Sequence, residues 1–457
     1  MSRKHNRRGY ARGFLALAVM VVALVLLGCN SGTIQTGEPT VEPQEVEPHE
    51  VNLPNITQAE AERDESPEVA GDELQTLVAG NNAFAWDVYQ QLRAEEGNLF
   101  DSPYSISLTL AMTYAGARGE TEQQMAQTLH FDLPQEQLHP AFNALDLELS
   151  SLGQTEGEEE TEGEADERFQ LNIANALWGQ QGYAFRPEFL DLLARNYGAG
   201  LGLLDFGSDP EAARQTINDW VSDATEEKIE NLIPEGVLNG GTRLVLTNAI
   251  YFTAAWASQF EESATMDRPF HLLDGGEVSV PMMAQTESYR YVEGEGYQAI
   301  ELPYRGADVS FVAILPAEGE FEAFEAALSG EQAESILGSL AYEEVVLTMP
   351  KFTYESAFSL VEILKAMGMP AAFDAADFSG MDGTQSLAIS EVLHKAFIAV
   401  DEEGTEAAAA TAVAMTESAA MPPEDPAVMV LDRPFIYLIR DNATGTLLFI
   451  GRLTDPS

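Results

Sequence analysis

The side chains that could do covalent or acid–base work are few: one cysteine, Cys29, and six histidines in 457 residues. A single cysteine excludes an internal disulfide framework and any cysteine-cluster metal site. The chain has no Gly-x-Ser-x-Gly elbow to raise a serine nucleophile and no His-Glu-x-x-His helix to hold zinc, so hydrolase chemistry has no carrier. Gly198-Ala199-Gly200-Leu201-Gly202 lacks the spacing of a dinucleotide cradle and reads as a turn after a helix. Taken alone, His394 reads as a hydrogen-bonded core histidine and Trp256 as core. One stretch breaks the local rules. Residues 402–414, Glu402-Glu403-Gly404-Thr405-Glu406-Ala407-Ala408-Ala409-Ala410-Thr411-Ala412-Val413-Ala414, consist mainly of small side chains. Alanine favours helix, yet no large apolar residue supplies a core-facing stripe. The segment from Met421 to Pro426 then ends any helix abruptly. On composition alone this is an exposed linker or a surface helix.

Cys29 has a different context. Residues 1–13 are basic, Phe14 to Leu27 form an uninterrupted apolar run, and Leu26-Leu27-Gly28-Cys29 ends it. Fourteen helical residues span roughly 21 Å, short of a ~30 Å hydrocarbon core, so residues 1–28 read as an export signal. The tract resembles the lipobox of bacterial lipoproteins, which implies lipid on Cys29 and an exported protein held at the cell surface or envelope of a bacterium. Residues 29–72 read as a disordered tether: Asn30 to Gly71 holds ten acids, one arginine and five prolines, too little apolar surface to offset chain entropy. A second acidic tract, residues 153–167, has eight acids and no base and reads as a solvated insertion. The whole chain carries 75 acidic against 23 basic residues, a formal charge of −52, and only five lysines, a composition also expected of salt-adapted proteins. Such a surface repels nucleic acid and heparin-like polyanions.

The elements that must position any site begin near residue 73. Leu77, Phe84, Val88 and Leu92 share one helical face, and Ser102-Pro103 supplies a helix cap followed by proline at the first helical position. Leu244 to Phe252 is a nearly continuous β-favouring run, as a strand buried on both faces shows. Val345, Leu347 and Met349 alternate with more polar neighbours, and Phe435 to Ile439 and Thr446 to Ile450 flank a hairpin turn. Strands and helices do not alternate regularly, so the class is α+β. The 45% apolar content suffices for a large packed core.

Several segments, in order, resemble the serpin family. They are Asn98 to Ile106, Gly116 to Thr121, Leu246 to Phe252 with Trp256 and Phe260, Pro281-Met282-Met283 and Leu302-Pro303-Tyr304. Pro350-Lys351-Phe352, Met367-Gly368-Met369, His394-Lys395-Ala396, Arg433-Pro434-Phe435 and Phe449-Ile450-Gly451-Arg452 continue the series. The resemblance covers residues 73–457 and implies one α+β domain with three β-sheets, about eight to nine helices and an exposed reactive-centre loop over residues 402–426. It further implies a monomeric inhibitor of a serine, sometimes a cysteine, protease, with no cofactor. Such a loop imitates substrate and, once cut, inserts into the main sheet and distorts the acyl-linked protease. A non-inhibitory serpin, acting as a surface binding or chaperone-like protein, is the other reading.

Under that resemblance the small residues gain a reason. A strand entering between two others packs alternate side chains into tight space. If Thr405 faces inward, so do Ala407, Ala409, Thr411 and Val413, while Glu406, Ala408 and Ala410 face away. Gly404 to Thr411 is the implied loop hinge. Counting fourteen residues beyond Gly404 places the scissile residue at Ser418, whereas alignment on Met421-Pro422-Pro423 favours Ala419 or Ala420. All three are small and uncharged, which suits elastase-like or subtilisin-like enzymes over trypsin-like ones. Ser102, Ser105, Asn248 and His394 correspond to the cluster that gates the main sheet, and Trp256 to the aromatic where the loop first enters. Asp101 puts a carboxyl where many relatives have an apolar or small residue.

Overall fold

The structure, a computed structural model, describes residues 54–59, 61–152, 170–306, 308–405 and 426–457. Its strands are β1 (Ile56–Thr57), β2 (Leu99–Asp101), β3 (Gln170–Gln180), β4 (Leu201–Leu204), β5 (Leu244–Ala255), β6 (Met266–His271), β7 (Glu277–Gly294) and β8 (Tyr297–Pro303). They continue with β9 (Val309–Pro316), β10 (Ala341–Pro350), β11 (Phe352–Ser359), β12 (Ile389–Val400), β13 (Gly404–Thr405), β14 (Ala427–Val430), β15 (Phe435–Asp441) and β16 (Leu447–Leu453). The longer helices are α1 (Gly71–Leu92), α2 (Pro103–Tyr114), α3 (Gly119–Thr128), α4 (Gln135–Ser150), α5 (Pro187–Tyr197), α6 (Pro210–Ala224), α7 (Phe321–Ala327), α8 (Gly330–Ser339) and α9 (Val361–Met367). Two four-residue helices, α10 (Ala371–Asp374) and α11 (Ser379–Asp382), follow.

Local chemistry explains the elements that matter for the site. Leu77, Phe84, Val88 and Leu92 of α1 are all buried. In α2 the Ser102 hydroxyl accepts the Ser105 amide at 3.3 Å, with Pro103 at the first position. Every residue of α2 is buried, because both β3 and β5 of one sheet and β16 of the other pack against it. A helix enclosed on all sides needs no polar stripe.

The main sheet has the order β1-β4-β3-β5-β13-β12-β11. β5 and β12 are parallel neighbours from Leu244–Ile389 to Tyr251–Phe397. Leu246, Ile250, Phe252 and Ala254 of β5 join the core on the α2 side, and Val245 and Ala249 join a second cluster with Ile217, Trp220 and Val221 of α6. That two-sided burial accounts for the unbroken apolar run. The second sheet runs β14-β10-β7-β8-β9-β15-β16-β2, with β6 also on β7. The resemblance implies two smaller sheets here. The 18-residue β7 pairs successively with β6, β10 and β8 and joins them into one hydrogen-bonded sheet. The hairpin forms as expected: Asp441 accepts the Ala443 and Thr444 amides, and Gly445 takes φ 79°.

One expectation is corrected. The tether read over residues 29–72 is ordered in its described part, which is docked on the domain. β1 adds antiparallel to the free edge of β4, and the Asp64 amide donates to Arg195 O at 2.9 Å. Arg63 donates to Asn143 Oδ1 at 2.8 Å and pairs with Asp146 at 2.6 Å, while Ala59 and Val69 pack on the core. Composition averaged over the segment hid these few docking residues, among them its single arginine. Residues 1–53, including Cys29, and the acidic tract at 153–167 lie outside the described residues.

Candidate functional site

The main sheet changes character at its β5–β12 boundary. Over most of their length these two strands bond directly to each other, but at one end β13 lies between them. Gly404 and Thr405 pair with Ala255 and Ala254 of β5, and Thr405 also pairs with Val400 of β12. β13 is antiparallel to both.

A tight turn delivers it. Asp401 Oδ1 accepts the amides of Glu403 at 2.9 Å and Gly404 at 3.2 Å, and the Asp401 amide donates to Gly404 O at 3.0 Å. Burial pushes the Asp401 carboxyl up, and those two amides pull it part of the way back. Gly404 has no substitute: a Cβ there would lie 2.1 Å from Ala254 O. The Thr405 side chain is fully buried and shares a hydrogen bond of 2.7 Å with Tyr304 Oη, so it faces inward. Trp256 stacks on Tyr304 with centroids 4.6 Å apart and donates from its indole to Asp401 O at 2.9 Å. The Trp256 and Phe260 amides reach the Glu403 and Glu402 carbonyls, both at 2.9 Å. Glu402 pairs with Lys351 and accepts from the Thr265 hydroxyl at 2.6 Å. Burial raises the Glu402 carboxyl, but Lys351 and Thr265 outweigh it and leave the group below its ordinary range.

The second constellation lies further along the same boundary. Asn175 of β3, Asn248 of β5, His394 of β12 and Phe358 of β11 occupy successive positions in one row across the sheet. The Ser102 amide donates to His394 Nε2 at 3.4 Å, so His394 Nδ1 carries the proton and donates to Asn248 Oδ1. Asn248 Nδ2 donates to Ser105 Oγ at 2.7 Å, Asn175 Oδ1 at 2.7 Å and Thr109 Oγ1 at 3.1 Å. Burial lowers the His394 pKa to about 3, so the imidazole is neutral. The cluster therefore ties β5 to β12, and both to α2, at the place where the two strands bond directly.

Ser102, Ser105, Asn248 and His394 are thus brought together, and Trp256 sits with Gly404 and Thr405 at the open end. Glu406, Ala407, Ala408, Ala409, Ala410 and Thr411, and the bond candidates Ser418, Ala419 and Ala420, lie outside the described residues. Sequence reasoning missed Asn175, Thr109, Tyr304, Lys351 and Glu402 as site residues. Tyr304 and Lys351 stand inside quoted motifs, and Thr109 lies one helical turn after Ser105. Asn175 gives no local signal.

A family model described as serpin (serine protease inhibitor) matches residues 79–456. A serpin-like protein of Thermococcus kodakarensis is 39% identical over 96% of this chain and 98% of its own length. The leukocyte elastase inhibitor of Sus scrofa is 38% identical over 84% of this chain and all of its own. Among solved structures, the thermophilic serpin tengpin in its native state superposes with a TM-score of 0.75 at 30% identity, covering 87% of this chain and 97% of its own. With a strand seated between β5 and β12 and the family matched from one end of the domain to the other, the chain belongs to the serpin family.

Proposed function

We propose that this serpin is an inhibitory, suicide-substrate inhibitor of serine proteases, aimed at elastase-like or subtilisin-like enzymes. The observation that carries the reading is β13, seated between β5 and β12 with Thr405 facing inward. Each further residue of an inserted strand moves one position back along both neighbours. Ala407 would then lie between Phe252 and Ile398, Ala409 between Ile250 and Ala396, and Thr411 between Asn248 and His394. Only small or β-branched uncharged side chains take the inward places. About ten new residues in the sheet would add a comparable number of backbone hydrogen bonds at roughly 1 kcal/mol each, on the order of 10 kcal/mol to deform an acyl-linked protease. The small bait residues Ser418, Ala419 and Ala420, and the similarity to a leukocyte elastase inhibitor, support the protease class. The test is incubation with an elastase: an inhibitor gives an SDS-stable covalent complex and a released peptide whose mass fixes the cut bond. Clean cleavage with no complex contradicts the proposal.

We infer also that Cys29 carries lipid and holds the domain, as a monomer, at a cell surface. Ile56 pairs with Gly202, in the same row as Trp178 and Val245, some ten residues along β5 from the Gly404 partner Ala255. The described chain thus joins the main sheet roughly 30 Å from β13. Labelling with a radioactive fatty acid should mark the wild type and not Cys29→Ala.

A further inference from the structure

Asp101 ends β2, opposite Ile450 of β16, with no exposed surface and no hydrogen-bond partner for either carboxyl oxygen among the described residues. An ionised carboxylate in such a place is strongly disfavoured. The groups around it offer no relief. Tyr89 of α1, Tyr354 of β11 and Tyr437 of β15 feel its charge, but Tyr89 donates to Glu325 at 2.8 Å and Tyr354 to Leu99 O at 2.9 Å. Arg452 of β16 is paired with Glu325 at 3.0 Å and donates to the carbonyls of Gly97 and Arg93. His394 of β12 is neutral and is held by the amide of the very next residue, Ser102. Burial pushes the Asp101 carboxyl up to about 8, so it keeps its proton at neutral pH.

We propose that Asp101 is a proton latch on the main sheet: protonated, it keeps the closed sheet intact, and its ionisation when water reaches it favours separation of β5 from β12. The link is short. β2 packs beneath β11 and β12, and Asp101–Ser102–His394–Asn248 runs from the carboxyl to the boundary that must open. The inference rests on the sheet opening argued above. A carboxyl whose closed-state pKa is raised releases its proton on opening, so opening becomes easier as pH climbs and levels off past the closed-state value.

The test compares hydrogen exchange of β5 and β12 peptides in wild type and Asp101→Asn at matched pH from 6 to 9, which cancels intrinsic base catalysis. The wild-type to variant ratio should rise up to tenfold per pH unit and level near pH 8; a ratio flat across the range overturns the latch. Asp101→Leu repeats the comparison if the asparagine variant does not fold. Infrared titration of the wild type reads the same group directly. A protonated-carboxyl band present at pH 7 and lost near pH 8 supports the proposal, and no such band at pH 7 sinks it, even with neither variant folded. Failure of the elastase gel would instead remove the inhibitory reading and leave this result standing.

Discussion

His394 and Asn248 are register partners on neighbouring parallel strands, and their side chains bond to each other across the line that separates β12 from β5. The same line is already open at its far end, where Thr405 sits. A two-residue strand thus lies between β5 and β12 at one end, and a hydrogen-bonded pair joins the two strands further along.

Replacing His394 by Ala leaves Asn248 Oδ1 and the Ser102 amide without a partner in a buried site. The intact protein should lose about 1–3 kcal/mol, the usual cost of an orphaned buried group. The loop-cleaved protein should lose less, since Thr411 would lie there. Urea unfolding of both forms measures the difference.

At the open end, Thr405→Arg would force a charge into a fully buried position beside Tyr304 and Trp256. The variant should be cut at the normal rate yet form little covalent complex. Densitometry of complex against cleaved band reads the shift from inhibitor to substrate.

Lys351 and Glu402 predict a pH effect with a definite sign. A carboxyl held below its unfolded value stabilises the fold above that value and loses this contribution as pH falls through the folded one. Wild type should therefore lose the Lys351–Glu402 contribution in acid, while Asp401, held up in the same turn, acts with the opposite sign in both proteins. Lys351→Ala should lower stability at pH 7 by up to about 1 kcal/mol, a modest figure because Lys351 is partly exposed, and should flatten the acid slope. Thermal midpoints from pH 3 to 7 in both proteins check this.

The docked N-terminal segment makes a separate prediction. Arg63→Ala removes the pair with Asp146, whose other oxygen accepts from Tyr104 at 2.9 Å, and should cost about 1–3 kcal/mol. Limited proteolysis ahead of Gly71 should become faster in the variant; unchanged cleavage would mean the segment is held by other contacts.

How much of this is legible in sequence depends on how local each signal is. The buried strand at β5, the capped start of α2 and the hairpin at Asp441 follow from periodicity, capping and turn chemistry within a few residues. Ser102, Ser105, Asn248 and His394 are legible only through family motifs, since nothing local joins residues up to 292 apart in sequence. Asn175 and Tyr304 complete the two constellations from other strands and could not be found by spacing. Propensity alone reads the alanine stretch as helix, whereas under the proposed function small side chains would suit entry into a crowded sheet. Arg63 was lost in an acidic average for a related reason: a few docking contacts outweigh the composition around them.

If loop insertion lowers the free energy as proposed, the intact protein is folded short of its most stable state, and melting reads the difference. Calorimetry of intact protein beside protein clipped between Ser418 and Ala420 should show the clipped form melting higher, by on the order of 10 °C or more if insertion is worth on the order of 10 kcal/mol. Coincident melting of the two forms would mean that cleavage releases no insertion energy and that the loop does not enter the sheet.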